Sequence, residues 1–176
     1  MKNIILLILI TVTFLSSSCV VSFENSLTDS QTIPFDNRLI GKWLEIKEKE
    51  AVFKFSTNSD SKIIVSMLDE NGDPKLLFTA FTVKIGKYNY LSLKLIDEDI
   101  EKTSLLVRYD LQGDEMTTWL PDKVKFNEFI SQGKLSGKTK SYGEISVSNT
   151  PDELKKILES NENDELFEFF CQLKKQ

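Results

Sequence analysis

Histidine is absent from the 176 residues. That removes the commonest general base and the commonest metal ligand, and it excludes a Ser-His or Cys-His nucleophile system within this chain. Arginine occurs twice, at Arg38 and Arg108, and 22 basic residues face 27 acidic ones. The sequence therefore lacks the arginine clusters and net positive charge of a nucleic-acid binder, and nucleic acid is not an expected partner. Cysteine occurs only at Cys19 and Cys171, too few for a disulfide framework. Four prolines and seven glycines exclude a collagen-like or low-complexity chain. No Gly-x-Ser-x-Gly elbow, phosphate loop or dinucleotide fingerprint occurs. These absences lead us to expect no catalytic residues, no cofactor and no metal.

The longest apolar run, Ile4–Leu15, is twelve residues, short of the roughly 20 that a membrane-spanning helix needs. A positive start at Lys2, an apolar middle and the small residues Ser16, Ser17 and Ser18 describe a secretory signal over residues 1–18. Leu15-Ser16-Ser17-Ser18-Cys19 resembles the lipobox of bacterial lipoproteins, with Ser16 where the commonest form has a large aliphatic residue. The resemblance implies cleavage before Cys19, a diacylglycerol thioether on its sulfur and a membrane as partner. Two or more acyl chains give stable anchoring, because each buried methylene contributes about 0.8 kcal/mol. A plain signal cut after Ser18 is the alternative. It would leave Cys19 free to bridge Cys171 in an oxidising compartment. Without residues 1–18 the chain keeps 158 residues, 21 of them basic and 27 acidic, for a formal charge of −6.

Residues 19–34 read as the lipidated cysteine and a flexible tether. The stretch after Val20 is rich in Ser, Thr, Asn and Asp and has no periodicity. As a coil of about 15 residues it would reach on the order of 20 Å. Residues 35–176 read as a single β-rich domain with C-terminal helices. Strands are expected at Leu39–Ile46, Val52–Phe55, Lys62–Leu68, Lys75–Ile85, Tyr88–Ile96, Ser104–Leu111 and Glu115–Leu120, separated by turn signals such as Asn71-Gly72 and Gln112-Gly113-Asp114. Lys75–Ile85 is apolar on both faces, Phe78 and Ala80 against Phe81 and Val83, which predicts burial on both sides or a ligand-facing interior. The pattern predicts an α+β chain, mainly β, as an antiparallel up-and-down barrel or strongly curved sheet.

Pro121–Gln132 reads as a helix stopped by Gly133, and Lys134–Tyr142 as a loop. Glu144–Val147 reads as a short strand, and Thr150-Pro151-Asp152-Glu153 as a capping box. Leu154, Ile157 and Leu158 fit a helical stripe. Leu166, Phe169, Phe170 and Leu173, at i, i+3, i+4 and i+7, predict another. Cys171 within that stripe reads as a small buried residue.

Phe35-Asp36-Asn37-Arg38-Leu39-Ile40-Gly41-Lys42-Trp43-Leu44-Glu45 resembles the opening of lipocalins, where a turn leads into Gly-x-Trp on the first strand. The resemblance implies that Trp43 plugs the closed end of an eight-stranded barrel, with Gly41 and Trp43 structural. It also implies an Arg from a late strand across the Trp, a role for which Arg108 is the candidate. The segment Leu105–Phe167 is similar to a pattern in small uncharacterised bacterial lipoproteins, which implies a cell-envelope protein without naming a chemistry. Its parts are Val107-Arg108-Tyr109, Trp119-Leu120-Pro121, Gly133-Lys134-Leu135-Ser136-Gly137 and Pro151-Asp152-Glu153-Leu154. Val20 after Cys19, rather than Asp, points by analogy to the outer membrane of a Gram-negative bacterium. Asp69–Asp73 departs from calcium-loop spacing at Pro74 and Ala80 and reads as a solvated turn. Asp97, Glu98, Asp99 and Glu101 read as a charged connection.

The functional expectation is a non-catalytic module that binds a small apolar ligand or lipid in a barrel. The alternative is a structural or interaction protein of the envelope with a core filled by its twelve phenylalanines. A hydrolase without His is the remote third.

Overall fold

The computed structural model describes residues 21–27, 36–47, 51–58, 62–96, 103–140 and 143–176. The signal, Cys19, most of the expected tether and the Asp97–Glu101 connection lie outside the described residues. Among the described residues the chain forms eleven strands and two α-helices. The strands are β1 (Val21–Phe23), β2 (Gly41–Glu45), β3 (Val52–Thr57), β4 (Ile63–Leu68), β5 (Pro74–Ile85), β6 (Tyr88–Leu95), β7 (Ser104–Gln112), β8 (Glu115–Pro121), β9 (Gly137–Thr139), β10 (Ile145–Val147) and β11 (Phe167–Lys175). The helices are α1 (Lys123–Ser131) and α2 (Pro151–Glu159).

Strands β2 to β8 pair as an antiparallel meander, β11 pairs with both β8 and β2, and β6 pairs with β7. The sheet therefore closes into an eight-stranded up-and-down barrel of lipocalin-like strand order. Closure removes every edge from these eight strands, the chief aggregation hazard of a β protein. Two connections that the sequence marks, Asn71-Gly72 and Gln112-Gly113-Asp114, are tight turns, the second with Gly113 at φ 62°. Gly72 (φ 84°) completes the β4–β5 turn, with the Asp69 carboxylate accepting the Asn71 and Asp73 amides at 2.9 Å each. That carboxylate organises the turn, as a solvated hairpin requires.

The alternation of each strand sorts side chains into two cores. The first draws on all eight barrel strands and is the lumen. Trp43, Phe55, Ile63, Val65, Ala80, Leu91, Tyr109, Met116, Cys171 and Leu173 meet there, with Leu39. The second lies on the outer face of β5 to β8. Val83, Ile85, Tyr90 and Leu106 from the barrel pack against Phe126 and Phe129 of α1, Leu154 and Leu158 of α2, and Phe23. This explains the two-faced apolarity of Lys75–Ile85: Phe78 and Ala80 face the lumen, Val83 and Ile85 the helices.

Three expectations are corrected. The Leu166–Leu173 stripe is not a helix. Phe167–Lys175 is β11, the strand that closes the barrel. Its register slips between Phe169 and Cys171, and this bulge shifts the in–out phase by one residue. Phe167 is buried in the outer core and Cys171 and Leu173 in the lumen, while Phe169 and Phe170, which completed the apparent helical stripe, are exposed. The aromatic residues Phe167, Phe169 and Phe170 favour strand.

Second, Val21–Leu27 belongs to the fold rather than to a tether. β1 pairs parallel to β10 and antiparallel to β7, and Val21, Ser22, Phe23 and Leu27 are buried. Phe23 meets Phe126 edge-on at 5.9 Å. Val21 and Phe23 are apolar enough for their burial to outweigh the coil-like composition around them.

Third, Lys134–Tyr142 contains β9, antiparallel to β10. The remaining local readings hold. The capping box at Thr150 and Glu153 is formed, and α1 starts two residues later than the expected Pro121. Asp122 caps it through the Val124 and Lys125 amides, and Pro121 ends β8.

Candidate functional site

Two ends of the barrel differ in chemistry. One end carries the start of β2, the close of β11, and the β5–β6 and β7–β8 turns. A 3-10 turn at Asn37–Leu39 folds under it. The Asp36 carboxylate accepts from its own segment at the Arg38 backbone and guanidinium, the latter at 2.8 Å. That hydrogen bonding holds the Asp36 carboxyl below the usual carboxylate range. The turn drives Leu39 and Trp43 into the lumen, both wholly buried. The Trp43 indole Nε1 donates to the Leu39 carbonyl at 2.7 Å, so the plug is tied to the turn that seats it.

Gly41 starts β2 and Trp43 is wholly buried on it, while Arg108 does not lie across the Trp. β2 neighbours β3 and β11, not β7. Arg108 also has the opposite parity to Val107 and Tyr109, so it points out of the barrel. The cation over Trp43 is Lys175, whose Nζ lies 5.5 Å from the ring centroid and donates to the Arg38 carbonyl at 2.8 Å. Gly41, at φ 136°, brings the backbone close under Lys175.

Arg108 is buried in the outer core within a box of rings. Its guanidinium carbon is 4.7 Å from the Tyr88 ring, 4.9 Å from Trp119 and 5.2 Å from Phe167. The carboxylate of Asp164 reaches it at 3.4 Å and also accepts from the Tyr88 hydroxyl and from Lys87 at 3.5 Å. These donors, the Tyr88 hydroxyl first, hold the Asp164 carboxyl below its usual range. Beside it the Asn163 amide donates to the Tyr90 hydroxyl at 2.7 Å and to the Leu158 carbonyl at 2.6 Å. Burial pushes the Tyr90 phenol up to about 12. This network pins the segment between α2 and β11 to the barrel wall. Sequence reasoning missed it; the usable signal was the pairing of Leu106 and Arg108 on the face opposite Leu105 and Val107.

The other end is the mouth, where the β2–β3, β4–β5 and β6–β7 connections lie. Here Phe53, Phe78, Leu93 and Val107 face the lumen and are only partly buried. Leu76, in register with Met67 and sharing its row with Phe53, is 39 % exposed. Around the rim Ile46, Leu77, Ile96, Phe169 and Phe170 are exposed. Seven of the eight large apolar side chains exposed among the described residues sit at this end or at the start of α1 just beyond it. An apolar lining and rim at one end, opposite a plug, can accept an apolar molecule end-on.

Cys171 lies in the lumen, its thiol 3.2 Å from the Thr118 hydroxyl. Burial pushes the thiol up, the reverse of an activated nucleophile. Among the described residues no three His, Cys, Asp or Glu side chains gather as a metal site, and no helix is long and apolar enough to cross a membrane. The chain matches no protein-family model, and no curated protein and no solved structure matches it.

Proposed function

We propose that the protein is a lipid-anchored lipoprotein of a bacterial cell envelope whose barrel receives a small apolar ligand, such as an acyl chain, without acting on it chemically. The observation that supports the ligand reading is the asymmetry of the barrel. Trp43 and Leu39 plug one end, while Phe53, Phe78, Leu93 and Val107 leave apolar lumen surface accessible at the other. Within the lumen Tyr109 and Cys171 are both pushed up by desolvation, while Glu45, opposite Leu173 on the Trp43 face of β2, brings one carboxylate toward the mouth.

The anchor reading rests on Met1–Cys19. Replacing Cys19 by Ala should release the protein from membranes, and the intact mass of the mature N-terminus should carry acyl chains. The ligand reading is tested by native mass spectrometry of protein extracted from its own membrane. A retained adduct of lipid mass is expected. Its consistent absence, with no thermal shift from long-chain fatty acids, would refute carriage. It would leave the second reading, an envelope interaction module, for which the exposed Ile46, Phe169 and Phe170 supply the apolar surface.

A further inference from the structure

The alternation that lines the lumen also sorts charge at the mouth. β2 turns Trp43 inward, so Glu45, two residues on, points inward as well, opposite Leu173 of the lumen. Its carboxylate is felt inside: burial is the main cause of the raised Cys171 thiol, and Glu45 adds to it. Nearer the rim, Glu168 of β11 is paired with Leu120, two residues beyond Thr118. The Thr118 hydroxyl meets Cys171 within the lumen, and Phe167 beside Glu168 is buried in the outer core. Glu168 therefore takes the inward side of its strand, and it is exposed at the rim. Among the described residues these two carboxylates are the charged side chains on inward strand positions in the mouth half.

The lysines nearest the mouth take other positions. Lys54 lies between the inward Phe53 and Phe55, and Lys94 follows the inward Leu93, so both point out. Lys47 lies against the outside of β11, its ammonium 5.5 Å from the centre of the exposed Phe169 ring. Lys75 is the extra residue where β5 slips against β4, exposed at the rim. The turn that leads to it also exposes Glu70 and Asp73.

Charge at this end therefore follows the pleat, with carboxylates on the inner face of the wall and ammonium groups on the outer. A chain that enters the lumen tail first leaves its head group beside those carboxylates. An anionic head, such as that of a fatty acid, would lie among like charges in a partly desolvated entrance, which disfavours it. An ammonium head offers opposite charge and three N–H donors to the carboxylate oxygens.

We propose that the guest of this barrel is an amphiphile with a protonated amine at its head, held with that head between Glu45 and Glu168 and its apolar chain toward Trp43. This rests on the ligand reading above and narrows it to one head-group class.

The test uses the full chain in a non-ionic detergent, with decylamine, decan-1-ol and decanoate as probes at about pH 7, where the amine is protonated and the acid ionised. Thermal unfolding is followed by tryptophan fluorescence over a range of probe concentrations. Decylamine should stabilise the protein at about tenfold lower concentration than the alcohol, and decanoate should be the weakest of the three. Glu45→Gln/Glu168→Gln should abolish the advantage of the amine over the alcohol. Glu115→Gln/Glu159→Gln, which changes the net charge equally at exposed sites outside the lumen, should keep it. If the first pair does not fold, Glu168→Gln alone, at an exposed position, should still reduce the advantage several-fold. Decanoate as good as decylamine, or an advantage lost equally in the surface pair, overturns the head-group assignment while leaving carriage standing. So does a lipid retained from the native membrane whose head lacks a basic nitrogen. If no probe stabilises the protein and no lipid is retained, carriage fails and this inference with it.

Discussion

Replacing Trp43 tests whether the plug holds the barrel together. The indole is wholly buried, donates to the Leu39 carbonyl at 2.7 Å and lies under the Lys175 ammonium at 5.5 Å. Trp43→Ala removes the ring from a lumen whose neighbours come from every strand and cannot collapse inward together. The expected loss is about 3–5 kcal/mol, a transfer term plus a cavity term. Trp43→Phe keeps most of the apolar volume but leaves the buried Leu39 carbonyl without its donor, at about 1–3 kcal/mol. Domains of this kind have only about 5–15 kcal/mol to lose. With a urea m-value of about 2 kcal/mol/M, the two variants should lower the unfolding midpoint by about 2 M and about 1 M. The assay is equilibrium urea unfolding followed by far-UV circular dichroism, with the slope checked for constancy. A midpoint shift below about 0.5 M for Trp43→Ala would refute the claim that the ring plugs the lumen. A Trp43→Phe variant as stable as the parent would refute the energetic role of the Nε1 hydrogen bond alone.

Asp164 gives a pH signature. Its carboxyl is held low by the Tyr88 hydroxyl, Lys87 and Arg108. A depressed folded pKa stabilises the fold above the unfolded carboxylate value near 4, and the gain is lost as pH falls through the folded value. The parent should therefore lose more thermal stability than Asp164→Asn as pH drops below about 4; parallel melting profiles would contradict the network. Cys171 should resist alkylation by iodoacetamide in buffer and react readily in denaturing urea, because burial raises its thiol; native labelling at the rate of a free thiol would place it outside the lumen. Gly41→Ala should cost about 1–3 kcal/mol in the same urea assay. The cause is the φ of 136°, since the Lys175 tail, 2.9 Å from the new Cβ, can swing aside. A neutral Gly41→Ala would show that the start of β2 relaxes freely.

Most of the barrel was legible in the residues. Alternation placed seven strands, and Asn71-Gly72 and Gly113 marked their turns, because period-two apolarity and positive-φ turn residues are local requirements. The eighth strand was not legible. A bulge at Phe169–Cys171 breaks the alternation, and pairing with two distant strands decides the conformation instead. The candidate site divides the same way. Gly41-x-Trp43 announced the plug, whereas its cation is Lys175, 132 residues away and brought over by β11. Arg108 stood out in the sequence as one of two arginines. Its box of Tyr88, Trp119 and Phe167 exists because β6, β7 and β8 are adjacent and the chain returns to cover them.

The sequence by itself determined the chemistry this chain lacks, the strand-and-turn rhythm from Leu39 to Leu120, the capping box of α2, and the resemblance at Met1–Cys19 on which the anchor reading depends. Those properties reside in composition or within a few residues of one another. Tertiary structure alone decided that the sheet closes, which end is plugged, and that Val21–Phe23 is a strand rather than slack. Each of these depends on burial against residues far along the chain. Val21 and Phe23 carry too little local signal to declare themselves, and they become ordered because β7, β10 and Phe126 provide a dry surface for them.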